Sequence, residues 1–326
     1  MNSACPICGG NGNKQLTSFV ASDVALHFFG EDQSERAVQL ITTVEQLWGR
    51  EEAELVECLR CQFTYALPFV SGSAEFYSLA YGDNSEYPSW KWDYEKFFDV
   101  VKTDQVQDVG NFIEIGAGNG TLINHLINRN ISYKSLTAIE YSSFGVECLK
   151  KLGVEVYSKS VCDIQFDKTF DTIAMFQVLE HMDNINQTFD TIYNLSNQGA
   201  NIHIAVPNKR TRFWFMRHQQ FLDVPPCHIS IWSKSDFLKV CDNHGFELVG
   251  YYEQVSTVRD LYKRMILDNF LSRTKIGFKI KNMNKGLLKK TLGMCCLFFY
   301  SILNVTTIFE LMNKYGISSY VVLKKK

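Results

Sequence analysis

The sequence predicts an α/β chain built on an open, mostly parallel sheet with helices on both faces. A small cysteine-bearing module precedes the sheet, and a helical insertion interrupts it near the end. Three observations carry this expectation. From residue 111 onward short apolar runs alternate with stretches of helical period. The first of those runs ends in a glycine-rich turn, Gly116-Ala117-Gly118-Asn119-Gly120. Two CxxC pairs stand ahead of it, Cys5/Cys8 and Cys58/Cys61.

The 326 residues suit about two domains of roughly 150 residues each. With 46% hydrophobic and 21% charged residues, the composition is globular and excludes disordered or collagen-like chains. Lys and Arg number 33 against 35 Asp and Glu, a net charge of -2. That balance gives no overall positive field for nucleic acid and no acidic excess for basic partners. The opening MNSACPICGG does not read as a secretory leader, so the expected location is the cytoplasm. There, ten cysteines favour metal ligation or simple burial over disulfides.

Two thiolates three positions apart on a tight turn can share one tetrahedral ion, and a second such pair closes the site. Cys5, Cys8, Cys58 and Cys61 therefore read as ligands of a structural Zn2+ with no open position for chemistry. The pairs stand fifty positions apart, Cys8 to Cys58, where zinc ribbons use about 15–20 residues. The stretch from Asp23 to Glu57 is thus expected to be an insertion that folds on its own. Two unrelated buried cysteine pairs are one alternative, and a redox CxxC is another, although it calls for a βα unit that the sequence around Cys5 lacks. The remaining cysteines, Cys227 among them, read mostly as small core residues.

In the core, NFIEIG is a buried strand and TLINHLIN the helix after it. SLTAIE, VEVYS, FDTIAMF, NIHIAV and FELVGYY are further strands, with helices over SSFGVECLKKLG, INQTFDTIYNLS and SKSDFLKVCDNHG. Ser caps open the first and last of these helices, and Gly153 and Gly245 close them. In such sheets ligands bind beyond the carboxyl ends of the strands. The glycine turn departs from the dinucleotide pattern, because position 121 is Thr and the third glycine is Gly120. Acidic residues add to it. Glu114 lies just before the turn. Glu140 ends the second strand, where a carboxylate can accept ribose hydroxyls. Asp163 follows the third strand, where it reads either as an acceptor for an exocyclic amine or as a turn residue.

FIEIGAGNG, the strand-end Glu140, VCDI and FDTIAMFQVLEH, in that order, resemble the class I S-adenosylmethionine-dependent methyltransferase family over residues 90–255. The resemblance implies a Rossmann-like seven-stranded methyltransferase sheet whose last strand is antiparallel. It implies S-adenosyl-L-methionine as cofactor, with Glu114, Gly116, Gly118 and Gly120 facing its methionine portion. By the same likeness Glu140 would hold the ribose, Tyr141 would lie against the adenine and Asp163 would meet its amine. Phe176 and Gln177 would line the methyl, with Glu180 and His181 following the strand.

A methyl acceptor needs alignment and, for some atoms, a base. The aromatic and basic segment after Asn208 contains Pro225-Pro226-Cys227-His228-Ile229. A bacterial subfamily with a CxxC-bearing N-terminal module, which includes sugar C-methyltransferases, resembles this arrangement and carries a carboxylate-histidine pair at this point. That similarity makes His228 the acid/base candidate and His181 a second one, although Cys227 stands where the carboxylate would be. Either histidine can instead be a packing or helix-start residue. Tyr77, Tyr81, Tyr87 and Trp90 between module and core suit closing over a cofactor, binding a sugar face, or packing the module on the sheet.

The expected division is a zinc-binding module at 1–75 and a linker at 76–110. The methyltransferase core occupies 111–256 and 317–326, and the helical insertion 257–316. Basic residues from Arg273 to Lys290 precede the uncharged run LGMCCLFFYSILNVTTIF, so 273–312 suits peripheral membrane contact, a lid or a homodimer interface. The leading function is methyl transfer to a small molecule, with a sugar nucleotide or a glycan or lipid-linked precursor as candidates. The alternatives are O- or N-methylation of another metabolite, and cofactor binding without turnover. A nucleic-acid methyltransferase is disfavoured by the charge balance and by Gln177-Val178-Leu179-Glu180, which lacks the Pro-Pro tetrapeptide of that group.

Overall fold

Strict two-residue alternation along the strands divides the core into two faces. In the computed structural model, which describes residues 4–30, 34–82, 90–101, 110–217, 224–255 and 316–326, both faces are covered. The chain opens with β1 (Asn13–Val20), α1 (Ala21–Phe29), α2 (Glu35–Trp48), β2 (Glu52–Cys58), β3 (Thr64–Leu67) and α3 (Ala74–Tyr81). The core begins with α4 (Trp92–Val101), β4 (Asn111–Ile115), α5 (Thr121–Asn128), β5 (Ser135–Ile139), α6 (Ser143–Lys151) and β6 (Glu155–Tyr157). It continues with β7 (Phe170–Phe176), α7 (Ile185–Leu195), β8 (Ser196–Pro207) and α8 (Lys209–Arg217). The last elements are β9 (Ser230–Ile231), α9 (Lys234–His244), β10 (Phe246–Glu253) and β11 (Ser318–Lys325).

Among the described residues the larger sheet has seven strands in the order β10-β11-β8-β7-β4-β5-β6. β4 pairs in parallel with both β5 and β7, while β11 runs antiparallel to β8 and β10. The expected seven-stranded sheet with its antiparallel last strand is therefore present. The chain order reverses at β4, which puts the switch point, and with it the ligand crevice, at the carboxyl ends of β4 and β7. On one face Ile113, Ile173, Met175, Ile204, Val321 and Leu323 join one hydrophobic core. On the other, Phe112, Ala174, Phe176, Tyr320 and Val322 meet Phe97 of α4 and Leu122, Ile123 and Leu126 of α5.

The caps follow the sequence signals. Ser142 Oγ accepts from Gly145 N at the start of α6. Ser233 caps α9, and its N donates to Asp236 Oδ2 at 2.8 Å. Gly245 ends α9 in the left-handed conformation. β8 starts earlier than the run NIHIAV suggests, because Ser196 already pairs with Phe170 ahead of a bulge.

The small module is an antiparallel sheet in the order β1-β2-β3-β9. Its last strand comes from the second half of the chain. Cys5, Ile7, Phe63 and Tyr65 share one continuous core with the main sheet. Trp232 is the joint, fully buried with its ring 4.9 Å from Phe63, 5.1 Å from Phe237 and 6.3 Å from Phe189. The stretch between the CxxC pairs contains helix and strand, and its core is shared with other elements. Val24, Leu40, Val44 and Trp48 pack with Phe76 and Ala80 of α3 and with Val224 and Cys227. Two short amphipathic helices have too little apolar surface to form a separate core.

Among the described residues no helix is long and apolar enough to cross a membrane. The 257–315 stretch of the expected insertion, with the candidate surface at 273–312, and Tyr87 lie outside the described residues.

Removing the joint should loosen the module and the sheet together. Trp232→Ala is expected to cost about 3–5 kcal/mol, the range for a large aromatic taken from a packed core. Urea unfolding measures it, and a loss below about 1 kcal/mol would show that the two sheets do not share their stability.

Candidate active site

The glycine turn after β4 is held by backbone and carboxylate together. Gly116 N and Ala117 N both donate to Ile139 O, at 2.8 and 3.0 Å. Glu140 Oε2 accepts from Gly118 N at 2.7 Å, and its Oε1 accepts from Ser142 N at 2.8 Å. Gly116 has φ +74°, and a Cβ there would meet Val178 Cγ2 at 2.3 Å, so both conformation and space require glycine. Gly118 and Gly120 are also left-handed, at φ 56° and 78°. Gly120 caps α5, so the first N–H groups of that helix open onto the crevice.

Glu114 is buried at 1% exposure, and its Oε2 has no hydrogen-bond partner among the described residues. Burial pushes its carboxyl up to about 8, with Lys91 opposing and Glu140 adding to the rise. An orphaned buried carboxylate beside a glycine turn suits a cationic group such as a ligand ammonium. Tyr141 is 68% exposed, and Asp163 sits at the end of the one-turn helix Val161–Asp163, exposed, with its N donating to Ser160 O at 2.9 Å. An aromatic face and a carboxylate at that rim suit an adenine. The donors and acceptors along this edge fit S-adenosyl-L-methionine.

Phe176 and Gln177 end β7. Phe176 is packed inward, its ring 5.9 Å from Tyr94 and 5.7 Å from Tyr320. Gln177 has φ +60°. Its Nε2 donates to Asp93 Oδ2 at 3.2 Å and to Ser318 Oγ at 3.1 Å. Asp93 is itself buried and accepts from Ser318 Oγ. Nothing in the sequence signalled that Asp93 and Ser318 would orient Gln177, because the three meet only through the fold.

Next to this edge lies a second cluster. His181 ends the one-turn helix Leu179–His181, and its ring is 4.4 Å from that of His228, edge to face. His181 Nδ1 lies 2.5 Å from Cys227 O and 3.1 Å from Tyr77 Oη. A carbonyl only accepts, so Nδ1 carries the hydrogen and Nε2 the lone pair. Tyr81 Oη lies 3.4 Å from Cys227 Sγ, and the Tyr77 and Tyr81 rings stack at 6.2 Å. Burial first, then His228 and Arg212, lower His181 to about 3. Burial, Arg212 and His27 together hold His228 well below its ordinary value. Both shifts favour the neutral rings. Burial pushes the Cys227 thiol up to about 12. Glu180 is fully buried with both oxygens unpartnered among the described residues, and burial lifts it to about 8 against Arg212 and Lys91.

The structure thus brings His181, His228, Tyr77 and Tyr81 together. Trp90 lies elsewhere, stacked on Phe98 and 4.5 Å from the His125 ring. Cys227, which reads in sequence as a core residue, lies in the cluster. α1 supplies a wall, with the Phe28 ring 5.3 Å from that of Tyr81.

The four CxxC cysteines converge as well. Cys5 Sγ is 3.5 Å from Cys61 Sγ, and Cys8 Sγ 3.6 Å from Cys58 Sγ. All four sulfurs lie within 4.8 Å of one another. Thiolates around a tetrahedral zinc at about 2.3 Å stand about 3.8 Å apart, so the cluster fits that ion. Burial raises Cys5 to about 11. Burial also opposes ionisation of Cys58, but N–H groups of Cys61 and Arg60 outweigh it and lower that thiol. Asn186 Nδ2 and Asn243 Nδ2 donate to Pro6 O and Ile7 O, and Lys239 Nζ to Cys61 O, which fixes the knuckles to α7 and α9.

The fold and this crevice define a nucleotide-type cofactor edge on a seven-stranded sheet. A methyltransferase-domain profile matches residues 90–251, and the enzyme is a class I S-adenosylmethionine-dependent methyltransferase. No curated protein sequence matches the chain. Among solved structures it is similar to a putative sarcosine dimethylglycine methyltransferase from Galdieria sulphuraria, at 12% identity and TM-score 0.46, over 72% of this chain and 85% of that one. It is also similar to the [4+2]-cyclase SpnF, at 16% identity and TM-score 0.46, over 74% and 85% of the two chains. A third is a coclaurine N-methyltransferase bound to N-methylheliamine and S-adenosylhomocysteine, at 17% identity and TM-score 0.44, over 74% of each chain.

If Glu114 receives the cofactor ammonium, it must lose a proton first. Its carboxyl, up at about 8 in the free protein, is protonated at pH 7, so binding releases a proton and affinity rises with pH until about 8. Calorimetry at pH 7 in buffers of different ionisation heat should show that release for the wild type and none for Glu114→Gln. Equal heats in both buffers for the wild type would contradict it.

Proposed function

We propose that the enzyme moves a methyl group to a small polar acceptor seated over His181 and His228, of the sugar-nucleotide or glycan-precursor class. The observation that carries this reading is the histidine pair, rings 4.4 Å apart, just past the carboxyl end of β7 and beside Tyr77 and Tyr81. Aromatic faces with hydroxyl handles suit a polyhydroxylated ring. When bound, the cofactor supplies an activated methyl on a sulfonium. Glu114, Gly116, Gly118 and Gly120 would hold its methionine portion, and Glu140, Tyr141 and Asp163 its adenosine. Phe176 and Gln177 would bound the methyl.

His228 acts as the base that takes the acceptor's proton, and His181 supports it. Cys227 in place of a carboxylate leaves His228 without the partner that abstraction next to a carbonyl would use. This favours a hydroxyl or amine as the acceptor atom over carbon. Cys5, Cys8, Cys58 and Cys61 would hold one Zn2+ that keeps the module closed and takes no part in transfer.

His228→Ala is expected to lower turnover by about 10²–10⁴-fold, the usual contribution of a positioned base, while the heat of cofactor binding stays unchanged. Assays over sugar nucleotides and other hydroxyl and amine metabolites test it. Full activity in His228→Ala would remove the base assignment, and cofactor binding without turnover on any acceptor would favour a binding protein. For the zinc, Cys58→Ser should release the metal and lower the unfolding midpoint. An unchanged midpoint with no zinc in the wild type by elemental analysis would refute the structural ion.

A further inference from the structure

Three side chains past the carboxyl end of β7, two of them the histidines of the proposed transfer, carry the chemistry of a metal site. The ligand atoms of His181, Cys227 and His228 lie within 4.8 Å of one another. Around a tetrahedral zinc, nitrogen and sulfur ligands stand about 3.3–3.8 Å apart. The triad is thus at most about an ångström and a half wider than a closed tetrahedral site.

The surroundings of the triad are those of ligands. A histidine that binds a metal through one nitrogen commonly gives its other N–H to a carbonyl, which fixes ring and tautomer. His181 does this, with Nδ1 at 2.5 Å from Cys227 O, so Nε2 is the atom that can coordinate. Tyr81 Oη, 3.4 Å from Cys227 Sγ, can donate to a thiolate. Glu180 Oε1 stands 3.9 Å from His181 Nε2, fully buried, with neither oxygen partnered among the described residues. A buried carboxylate without a donor is costly. A cation beside it, binding it directly or through one water, removes that cost.

We propose that His181 Nε2, Cys227 Sγ and a ring nitrogen of His228 bind a divalent transition metal of the zinc or cobalt kind, with Glu180 completing its charge. Two imidazoles and a thiolate select such ions over magnesium or calcium. This site is separate from the four-cysteine cluster. It shares the acceptor pocket of the proposed function and carries a consequence for it. A ring nitrogen given to the ion cannot take a proton, so a loaded pocket is silent for base-dependent transfer. Metal binding and base catalysis are alternative states of one histidine pair.

The test uses the full chain, stripped with chelator and titrated with Co2+ or Zn2+ alone, with no cofactor or acceptor. Failure here therefore leaves the methyl-transfer reading standing. The wild type should bind one equivalent more than Cys227→Ala or His228→Gln, whatever the four-cysteine cluster holds. Heat of S-adenosyl-L-methionine binding shows that each variant is folded. Wild-type protein loaded with zinc gives a second readout that needs no variant. Its X-ray absorption should show nitrogen and sulfur neighbours together. Equal stoichiometry in wild type and folded variants, or sulfur neighbours alone, would overturn the proposal.

Discussion

The glycine turn after β4 depends on one carboxylate. Glu140 leaves β5 and turns both oxygens onto backbone N–H groups, one from Gly118 at 2.7 Å and one from Ser142 at 2.8 Å. The first bond holds the glycine turn after β4 and the second holds the entry to α6, so two loops from neighbouring strands move as one. Charge-assisted bonds to backbone are among the stronger ones available. Each oxygen keeps a lone pair for a ligand hydroxyl. The space is already tight. A Cβ on Gly145 would meet Gly118 O at 2.5 Å and Glu140 Cγ at 2.7 Å. The turn therefore cannot relax toward α6, and the crevice is set before any ligand arrives.

The long gap between the CxxC pairs has an architectural explanation. The chain leaves β1, builds α1 and α2, and returns as β2 next to its starting point, with Asn13 paired to Cys58. That pairing brings the knuckles together despite the distance along the chain. α1 and α2 pack with α3, and α3 carries Tyr77 and Tyr81. The excursion thus packs α3 in place, and its Tyr77 and Tyr81 reach His181 and Cys227. β9 closes the arrangement from the far half of the sequence, because Tyr65 pairs with Ser230, two residues past His228. The cysteine module, the tyrosines and the histidine pair are consequently parts of one frame.

Much of this was legible in the chain, and the boundary between legible and illegible has a physical cause. The strands follow from short apolar runs, which a sheet covered on both faces requires. The turn at Gly116 follows from a conformation that only glycine tolerates, and Ser233 and Gly245 follow from the unsatisfied groups of helix ends. Glu140 was readable because its partners lie in adjacent strand-to-helix turns. Gln177 shows the limit. Its orientation is set by Asp93 and Ser318, 84 and 141 positions away, and polar pairs at such separations leave no periodic trace. Cys227 shows another. A small apolar-looking residue between prolines and a histidine reads as packing, and only the arrival of Tyr81 and His181 from other elements gives it chemical company.

Two buried carboxylates mark the two halves of the site. Glu114 lies in β4 and Glu180 in the turn after β7, and Oε2 of the first and both oxygens of the second have no hydrogen-bond partner among the described residues. Burial lifts both to about 8, so in the empty protein both are held neutral near pH 7, at a cost in folding stability that a cation could relieve. A fold that needed only packing would place leucines there. Unpaired acids at the carboxyl ends of the two strands flanking the switch point are instead consistent with ligands that complete them. For Glu114 the neighbouring glycine turn suits a ligand's ammonium. For Glu180 the neighbouring imidazoles suit a cation or a proton leaving the acceptor.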